Sequence, residues 1–151
     1  MRRWIWIVPF FIAACQAPRT EGPPAIRFGR DACSRCGMII NEARFASGYM
    51  DPRGRSVAFD DLGEMLAAAK EKPEIAPRIY AGDFSAGGTW IPASKALFVR
   101  VPGYSTPMGS GIVAFSSDEA ARSFAQAHPG SRTLPFESAL QEYTRSERTH
   151  P

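Results

Sequence analysis

The sequence has few of the side chains that bind soft metals or form disulfides: its 151 residues include three cysteines and two histidines. Lysine and arginine nowhere form a block interleaved with aromatic residues, which argues against a nucleic-acid partner. A serine elbow, a phosphate-cradling glycine loop and a carboxylate pair with a nearby base are also absent. We therefore expect neither hydrolysis nor group transfer, and a protein that is not an enzyme.

Long apolar runs are missing as well, because the longest, residues 4–14, has eleven residues and is too short to span a bilayer as a helix. It follows a short positive segment and matches the hydrophobic region of a signal peptide. The run ends in residues 12–15 (IAAC), which resemble a bacterial lipoprotein box. We predict that residues 1–14 are a signal peptide and that Cys15 is lipidated; an ordinary secretory signal is the alternative.

The segment formed by the lipidated cysteine and the residues that follow it, residues 15–30, is rich in proline and polar residues and lacks an apolar period. Such a stretch is typical of an extended tether, at about 3 Å per residue. The chain is therefore expected in the cell envelope, lipid-anchored to a membrane and facing the periplasm or exterior. Removal of the signal peptide takes away Arg2 and Arg3, so 18 basic residues become 16 against 15 acidic ones.

An internal repeat organises the rest of the chain. Residues 48–59 and 103–115 both read Gly-Tyr-x-x-Pro-x-Gly and, after a short spacer, Val-Ala-Phe. The pattern indicates a strand, a Pro-Gly turn and a second strand, with the first strands expected at residues 38–40 and 96–101. Each copy is followed by capping-box spacing that predicts a helix start: Asp61 with Glu64, and Ser116 with Glu119.

The repeat predicts an α+β fold of two duplicated ββα-type halves with mainly antiparallel sheet. We expect one domain over residues 31–144, with halves of about 31–75 and 76–144, and a flexible tail at 145–151. Between the repeats, residues 78–84 alternate apolar and polar side chains and predict another strand. A short C-terminal helix is predicted at residues 136–143.

Soft sulfur donors are concentrated in one place, residues 33–38 (CSRCGM), where Cys33, Cys36 and Met38 lie within six residues. Two thiols and a thioether favour a soft metal ion, with Cu(I) the leading candidate. Met108 is a second candidate donor, because the Pro-Met-Gly turn around it makes a core role less natural.

The other methionines and the histidines are weaker candidates. Met65 lies on the apolar stripe of the first predicted helix and reads as core, whereas Met50 is at a turn edge. A Cys2His2 zinc site would need His128 and His150, for which the chain offers no recognisable spacing.

Two further uses of the thiols stay open. A thioredoxin-like Cys-x-x-Cys stands where a strand turns into a helix, whereas here a strand is expected to follow, so the helix dipole is missing. A structural disulfide in an oxidising envelope is the other use, although it gives no role to Met38.

These motifs together resemble the NosL family of periplasmic copper lipoproteins. The likeness runs from about residue 31 to residue 142, together with the lipoprotein box. It rests on the order of five short motifs: CxxCGM at 33–38, FDD at 59–61, WIPA at 90–93, PMG at 107–109 and AF at 114–115.

The resemblance implies a protein that binds Cu(I) and passes it to nitrous oxide reductase, to its maturation machinery or to another cuproenzyme. It assigns the copper-ligand role to Cys33, Cys36, Met38 and Met108. Some relatives carry a histidine near the Met-Gly step, where this chain has Ser110. The alternative function is a thiol–disulfide protein acting on the cysteines of a copper-site partner.

Overall fold

Two antiparallel sheets and three α-helices form the part of the chain that the computed structural model describes, residues 21–147, with side chains described as far as Tyr143. The strands are β1 (Ser47–Met50), β2 (Ser56–Phe59), β3 (Tyr80–Gly82), β4 (Trp90–Pro92), β5 (Leu97–Arg100), β6 (Ile112–Phe115) and β7 (Arg132–Pro135). The α-helices are α1 (Leu62–Glu71), α2 (Asp118–Ala127) and α3 (Phe136–Glu147). Short 3-10 helices occupy Pro73–Arg78 and Ala93–Lys95.

The first sheet has the strand order β2-β1-β3-β4 and the second has the order β6-β5-β7. All neighbouring strands within these sheets are antiparallel. Two units of strand, strand and helix, β1-β2-α1 and β5-β6-α2, follow one another, so the predicted α+β fold of two ββα-type halves is confirmed. Within the described residues, no helix combines the length and apolar character needed to cross a membrane. The predicted signal peptide and Cys15 lie outside these residues.

Strands β5 and β6 of the second sheet carry buried side chains on both faces, because successive side chains of a strand point to opposite sides. On β5, Phe98 joins the main core, which includes buried side chains of α1, α3 and the first sheet. Its neighbour Val99 joins a second cluster that contains Ala121 of α2. The strand β6 follows the same alternation, with Ile112 facing the main core and Val113 the second cluster.

The helix α1 begins where the sequence predicts, with Asp61 as its N-cap and an apolar stripe toward the core. The Asp61 carboxylate accepts a hydrogen bond from the Gly63 N–H at 2.7 Å. Leu62, Met65 and Leu66 are fully buried, and each side chain of this size contributes roughly 2 kcal/mol by burial. Met65 is therefore core, as predicted.

The predicted cap of α2 is wrong by one residue. The N-cap is Ser117, whose side chain accepts from the Ala120 N–H, and not Ser116. The backbone N–H and the hydroxyl of Ser116 instead donate to the carboxylate of Asp83. Asp83 also forms an isolated parallel bridge with Ala114, so this residue joins the end of the first sheet to the second.

The strand predicted at residues 38–40 is also wrong. Met38 has no strand partner, and Ile39 forms a single isolated bridge with Ala32. The first strand of this half is β1, which includes the repeat residue Gly48. This glycine is required because a β-carbon there would lie 2.3 Å from the carbonyl oxygen of Val57 on β2.

The two Gly-Tyr pairs of the repeat therefore have different conformations. Gly48 is paired with Ala58 inside the first sheet. Gly103 lies beyond the end of β5 in a turn, with a φ of 74°. The repeated sequence thus preserves the hairpin and the helix, while the boundary between strand and turn has shifted.

Both ends of the domain extend beyond the predicted limits. The backbone N–H of Ala25 donates to the Ser56 hydroxyl at 2.9 Å, and Pro24 is buried over Gly48, so part of the proposed tether packs on the first sheet. At the other end, α3 continues to Glu147, whereas the sequence predicts a helix ending at residue 143.

Candidate metal centre

The cysteine loop, residues 33–38, is closed by its own backbone. The Cys33 N–H donates to the Met38 carbonyl at 2.7 Å, and the Gly37 N–H donates to the Cys33 carbonyl at 3.0 Å. Gly37 has a φ of 78°, a left-handed conformation that glycine adopts without steric cost. The sequence Cys-x-x-Cys-Gly therefore makes a turn that brings both thiols to one side of the loop.

Contacts from two intervening residues hold this loop on the domain. The Ser34 N–H donates to the Ala58 carbonyl at 2.8 Å, and the Ala58 N–H donates to the Ser34 hydroxyl at 3.2 Å, which attaches the loop to β2. Arg35 forms ion pairs with Glu64 at 3.1 Å and Glu71 at 2.8 Å, both on α1. Because Arg35 is partly exposed, these pairs serve mainly to orient the loop.

Three donor atoms converge under the loop. The sulfurs of Cys33 and Cys36 and a carboxylate oxygen of Asp60 all lie within 4.8 Å of one another. Among the described residues, these three form the group of Cys, His, Asp or Glu side chains whose ligand atoms are close enough together to hold one metal ion. Both cysteines are free thiols, and Cys33 is 3% exposed.

Asp60 is an unusual member of this group because it is 2% exposed and follows β2 directly. Its Oδ1 accepts from the Cys36 thiol at a sulfur–oxygen distance of 3.5 Å. Its Oδ2 is buried and has no hydrogen-bond partner among the described residues. A buried carboxylate oxygen without a partner is costly, so it marks a place where a cation would be stabilised.

Burial raises the pKa of Cys36 to about 11, and the nearby Cys33 and Asp60 raise it further, while a hydrogen bond from the Met38 backbone opposes them. Cys36 is therefore a neutral thiol at pH 7. The attacking cysteine of a thiol–disulfide enzyme has a lowered pKa, so Cys36 is not suited to be that attacking residue.

The second half of the domain contributes the methionine loop, residues 106–110. Asp61 accepts from the Thr106 hydroxyl at 2.6 Å and from the Met108 backbone N–H at 3.0 Å. Gly63 lets the loop approach α1, because a β-carbon there would lie 2.6 Å from the β-carbon of Ser110. The methionine loop is thus fixed at the start of α1. Its anchor, Asp61, is the residue that follows Asp60 in the chain.

Comparisons with known proteins identify the family and the fold. The NosL family model matches residues 27–144. The chain belongs to the NosL family. A crystal structure described as the copper chaperone NosL from Shewanella denitrificans has the same fold, with a TM-score of 0.63, 22% identity and coverage of 80% of this chain and 96% of that one. No curated protein sequence matches the chain.

The methionines predicted as ligands in this NosL-family chain are both at the surface. Met38 is 49% exposed and Met108 is 42% exposed, which is unusual for large apolar side chains. Met50 is buried on β1, where its sulfur accepts a hydrogen bond from the Ser56 hydroxyl at 3.4 Å. The weaker candidate among the methionines thus has a structural role.

The histidine alternative is contradicted for His128. Its ring stacks on Phe124 with centroids 4.1 Å apart, and its Nδ1 is 2.7 Å from the Phe124 carbonyl oxygen. It is not a member of the group formed by the two cysteines and Asp60. His150 lies outside the described residues.

Sequence reasoning missed Asp60. Asp60 directly precedes Asp61 and looks like part of the same helix start, but only Asp61 is the N-cap of α1. A helix cap uses one side chain, so the second aspartate needed its own explanation. The signal that could have identified Asp60 is that it is a second aspartate, in the FDD motif at residues 59–61, for which the helix cap has no use.

Proposed function

We propose that this NosL-family protein is a membrane-anchored metallochaperone that binds Cu(I) and delivers it for assembly of nitrous oxide reductase or a related cuproenzyme. The observation that carries the proposal is the pair of free thiols, Cys33 and Cys36, within 4.8 Å of each other in a loop fixed to the core. Thiolates and thioethers are the donors that select Cu(I). A relative of the same fold is described as a copper chaperone, which supports this reading.

In the proposed site, Cys33 and Cys36 hold the ion, and Met38 or Met108 supplies a third sulfur. Copper binding displaces the thiol protons, so the raised pKa of Cys36 makes the affinity depend on pH. The cysteines are at least partly buried whereas both methionines are exposed. A thioether at the surface gives the ion a weakly held position from which a partner's ligands can take it.

In this proposal, the membrane anchor is a lipid attached to Cys15. Because the chain packs on the domain from Pro24 onward, residues 16–23 are left to separate the domain from the membrane, roughly 25 Å when extended. Replacing Cys15 by Ser should release the protein from the membrane fraction without changing its copper affinity. Retention of the variant in the membrane fraction would contradict lipid anchoring.

A competition titration with a Cu(I) chelator under anaerobic, reducing conditions tests copper binding. We expect one Cu(I) per chain and a fall in affinity of at least about 100-fold in the Cys33→Ser, Cys36→Ser double variant, because both thiolates are lost. Met50→Leu is the matched control, since it replaces a buried methionine away from the loop. An unchanged affinity in the double variant would overturn the proposal.

Delivery is tested by mixing the copper-loaded protein with copper-depleted nitrous oxide reductase and its maturation proteins. Transfer should depend on the chaperone being loaded and should be lost with the double variant. Fast exchange of the thiols with a model disulfide, without copper transfer, would favour the thiol–disulfide alternative instead.

A further inference from the structure

The unsatisfied oxygen of Asp60 distinguishes this centre from a pure sulfur site. Asp60 Oδ2 is buried without a hydrogen-bond partner in the described part of the chain, while Oδ1 contacts the Cys36 thiol. The neighbouring acid, Asp61, has both oxygens occupied by hydrogen bonds from α1 and the methionine loop. The nearby cation of Arg35 is engaged by Glu64 and Glu71. Asp60 therefore has one oxygen in contact with the Cys36 thiol and a second, buried oxygen without a hydrogen-bond partner among the described residues.

Charge and hardness decide which ion this donor set prefers. Two thiolates and a carboxylate carry three negative charges, so a monovalent ion leaves two of them uncompensated and a divalent ion leaves one. Carboxylate oxygen is a poor partner for Cu(I), whereas Zn²⁺ accepts sulfur, nitrogen and carboxylate oxygen alike. The Asp60 carboxylate thus adds a preference that the thiols alone do not have.

We propose that Cys33, Cys36 and Asp60 also form a binding site for a borderline divalent ion of the Zn²⁺ class, with the fourth position open. The inference rests on the proposed function in that Cu(I) and the divalent ion share the same two thiols. Asp60 ligates the divalent ion and not Cu(I). It therefore sets how strongly Zn²⁺ competes with Cu(I) for the empty chaperone.

The distances fit such a site. Tetrahedral zinc with ordinary bond lengths separates two sulfur ligands by about 3.8 Å, and sulfur from oxygen by about 3.5 Å. The Cys36 sulfur and Asp60 Oδ1 are already 3.5 Å apart, and all three donor atoms lie within 4.8 Å. Catalytic zinc sites also have three protein ligands and an open fourth position, whereas structural zinc sites are closed by four ligands.

Titration of the reduced protein with Co²⁺, a coloured substitute for Zn²⁺, tests the inference. We expect thiolate-to-cobalt charge-transfer bands and intense tetrahedral visible bands that saturate at one equivalent and disappear when Zn²⁺ is added. Absence of these bands in the wild type would overturn the divalent site. Because the Cu(I) titration is separate, its failure would contradict the proposed function and leave this result standing.

The Asp60→Asn variant assigns the carboxylate. It should weaken Zn²⁺ binding at least tenfold, as expected for a lost ligand, while Cu(I) affinity changes less than threefold. Asp31→Asn is the matched control, since Asp31 is an acid just before the loop that pairs with Arg27 and is not in the donor group. Equal loss of both metals in Asp60→Asn would overturn the selective role.

A second measurement protects the inference if Asp60→Asn does not fold, which circular dichroism would show. The ¹¹³Cd NMR shift of the wild-type protein loaded with Cd²⁺ reports the donor set directly. A shift typical of two sulfurs with oxygen supports the site. A shift typical of sulfur ligands alone contradicts it.

Discussion

The carboxylate of Asp61 accepts a hydrogen bond from the backbone N–H of Met108, a residue 47 positions away in the other half of the domain. The same carboxylate caps α1 through Gly63. One buried side chain therefore fixes the position of the methionine loop relative to the helix that starts beside the thiols. The proposed metal centre is assembled where the two ββα units meet.

Replacing Asp61 by Ala should destabilise the fold by about 3 kcal/mol. The helix cap accounts for about 1 kcal/mol, and the buried bonds to Thr106 and Met108 account for the rest. Urea unfolding monitored by circular dichroism measures the loss. Thr106→Val is the control, expected to cost less because the cap and the Met108 contact remain. Equal losses in the two variants would argue against Asp61 as the shared anchor.

Replacing each exposed methionine, Met38 or Met108, by leucine tests whether it is a Cu(I) ligand. If a methionine supplies the third sulfur, Met38→Leu or Met108→Leu lowers Cu(I) affinity roughly tenfold or more. Leucine conserves the size of an exposed side chain, so folding should not change. Chelator competition gives the affinities, with Met50→Leu expected to match the wild type. Wild-type affinity in both exposed-methionine variants would restrict the ligands to residues outside this pair.

Asp83 should make stability fall in acid. Burial raises the pKa of this carboxyl, but hydrogen bonds from Ser116 and Ser85 outweigh it, and the folded-state pKa is lowered. A lowered pKa means that the ionised group stabilises the fold above its unfolded pKa of about 4. This stability is lost as the pH falls through the folded-state value.

Asp83→Asn should therefore cost about 2 kcal/mol at pH 7 and flatten the acid decline, because its amide N–H groups face other donors. Urea unfolding between pH 2 and pH 7 measures both effects. Asp51 and Asp31 also have lowered pKa values, so part of the decline should remain. Asp118→Asn is the matched control, because Asp118 is an exposed acid at the start of α2 that pairs with Arg122 and does not contact Asp83. A full wild-type decline in Asp83→Asn would contradict this assignment.

Cys36 should react slowly with iodoacetamide in the metal-free protein. Its pKa of about 11 leaves roughly 100-fold less thiolate near neutral pH than an ordinary cysteine has. Peptide mapping by mass spectrometry at several pH values measures the rate, which should rise steeply toward alkaline pH. Alkylation of Cys36 at pH 7 as fast as free cysteine would count against a neutral, buried thiol and in favour of redox chemistry.

Features encoded in short segments were predictable from the sequence. The cap at Asp61 and the apolar stripe of α1 follow from local spacing, and the repeated hairpin followed by a helix gave the fold class. The concentration of thiols at residues 33–38 indicated where a soft metal would bind, and the structure brings Cys33 and Cys36 together there.

Features that depend on contacts distant in sequence were not predictable. Residues 38–40 have strand-like composition, yet the loop satisfies its backbone groups by closing on Cys33. Ser116 has the spacing of a cap, but Asp83 in the other half takes its donors. Asp60 looks like half of a helix start until its side chain is seen beside Cys36. In each case the deciding partner is at least five residues away in the chain.

The cysteine loop lies before β1, outside the strand-strand-helix unit that the chain repeats. A duplication of that unit copies the scaffold without copying the thiols, so the internal pseudo-symmetry of the fold does not extend to its chemistry. The second half contributes the methionine loop but contains no cysteine. Under the proposed function, a protein built this way binds one soft ion per molecule, because the thiols lie outside the repeated unit and are not duplicated with it.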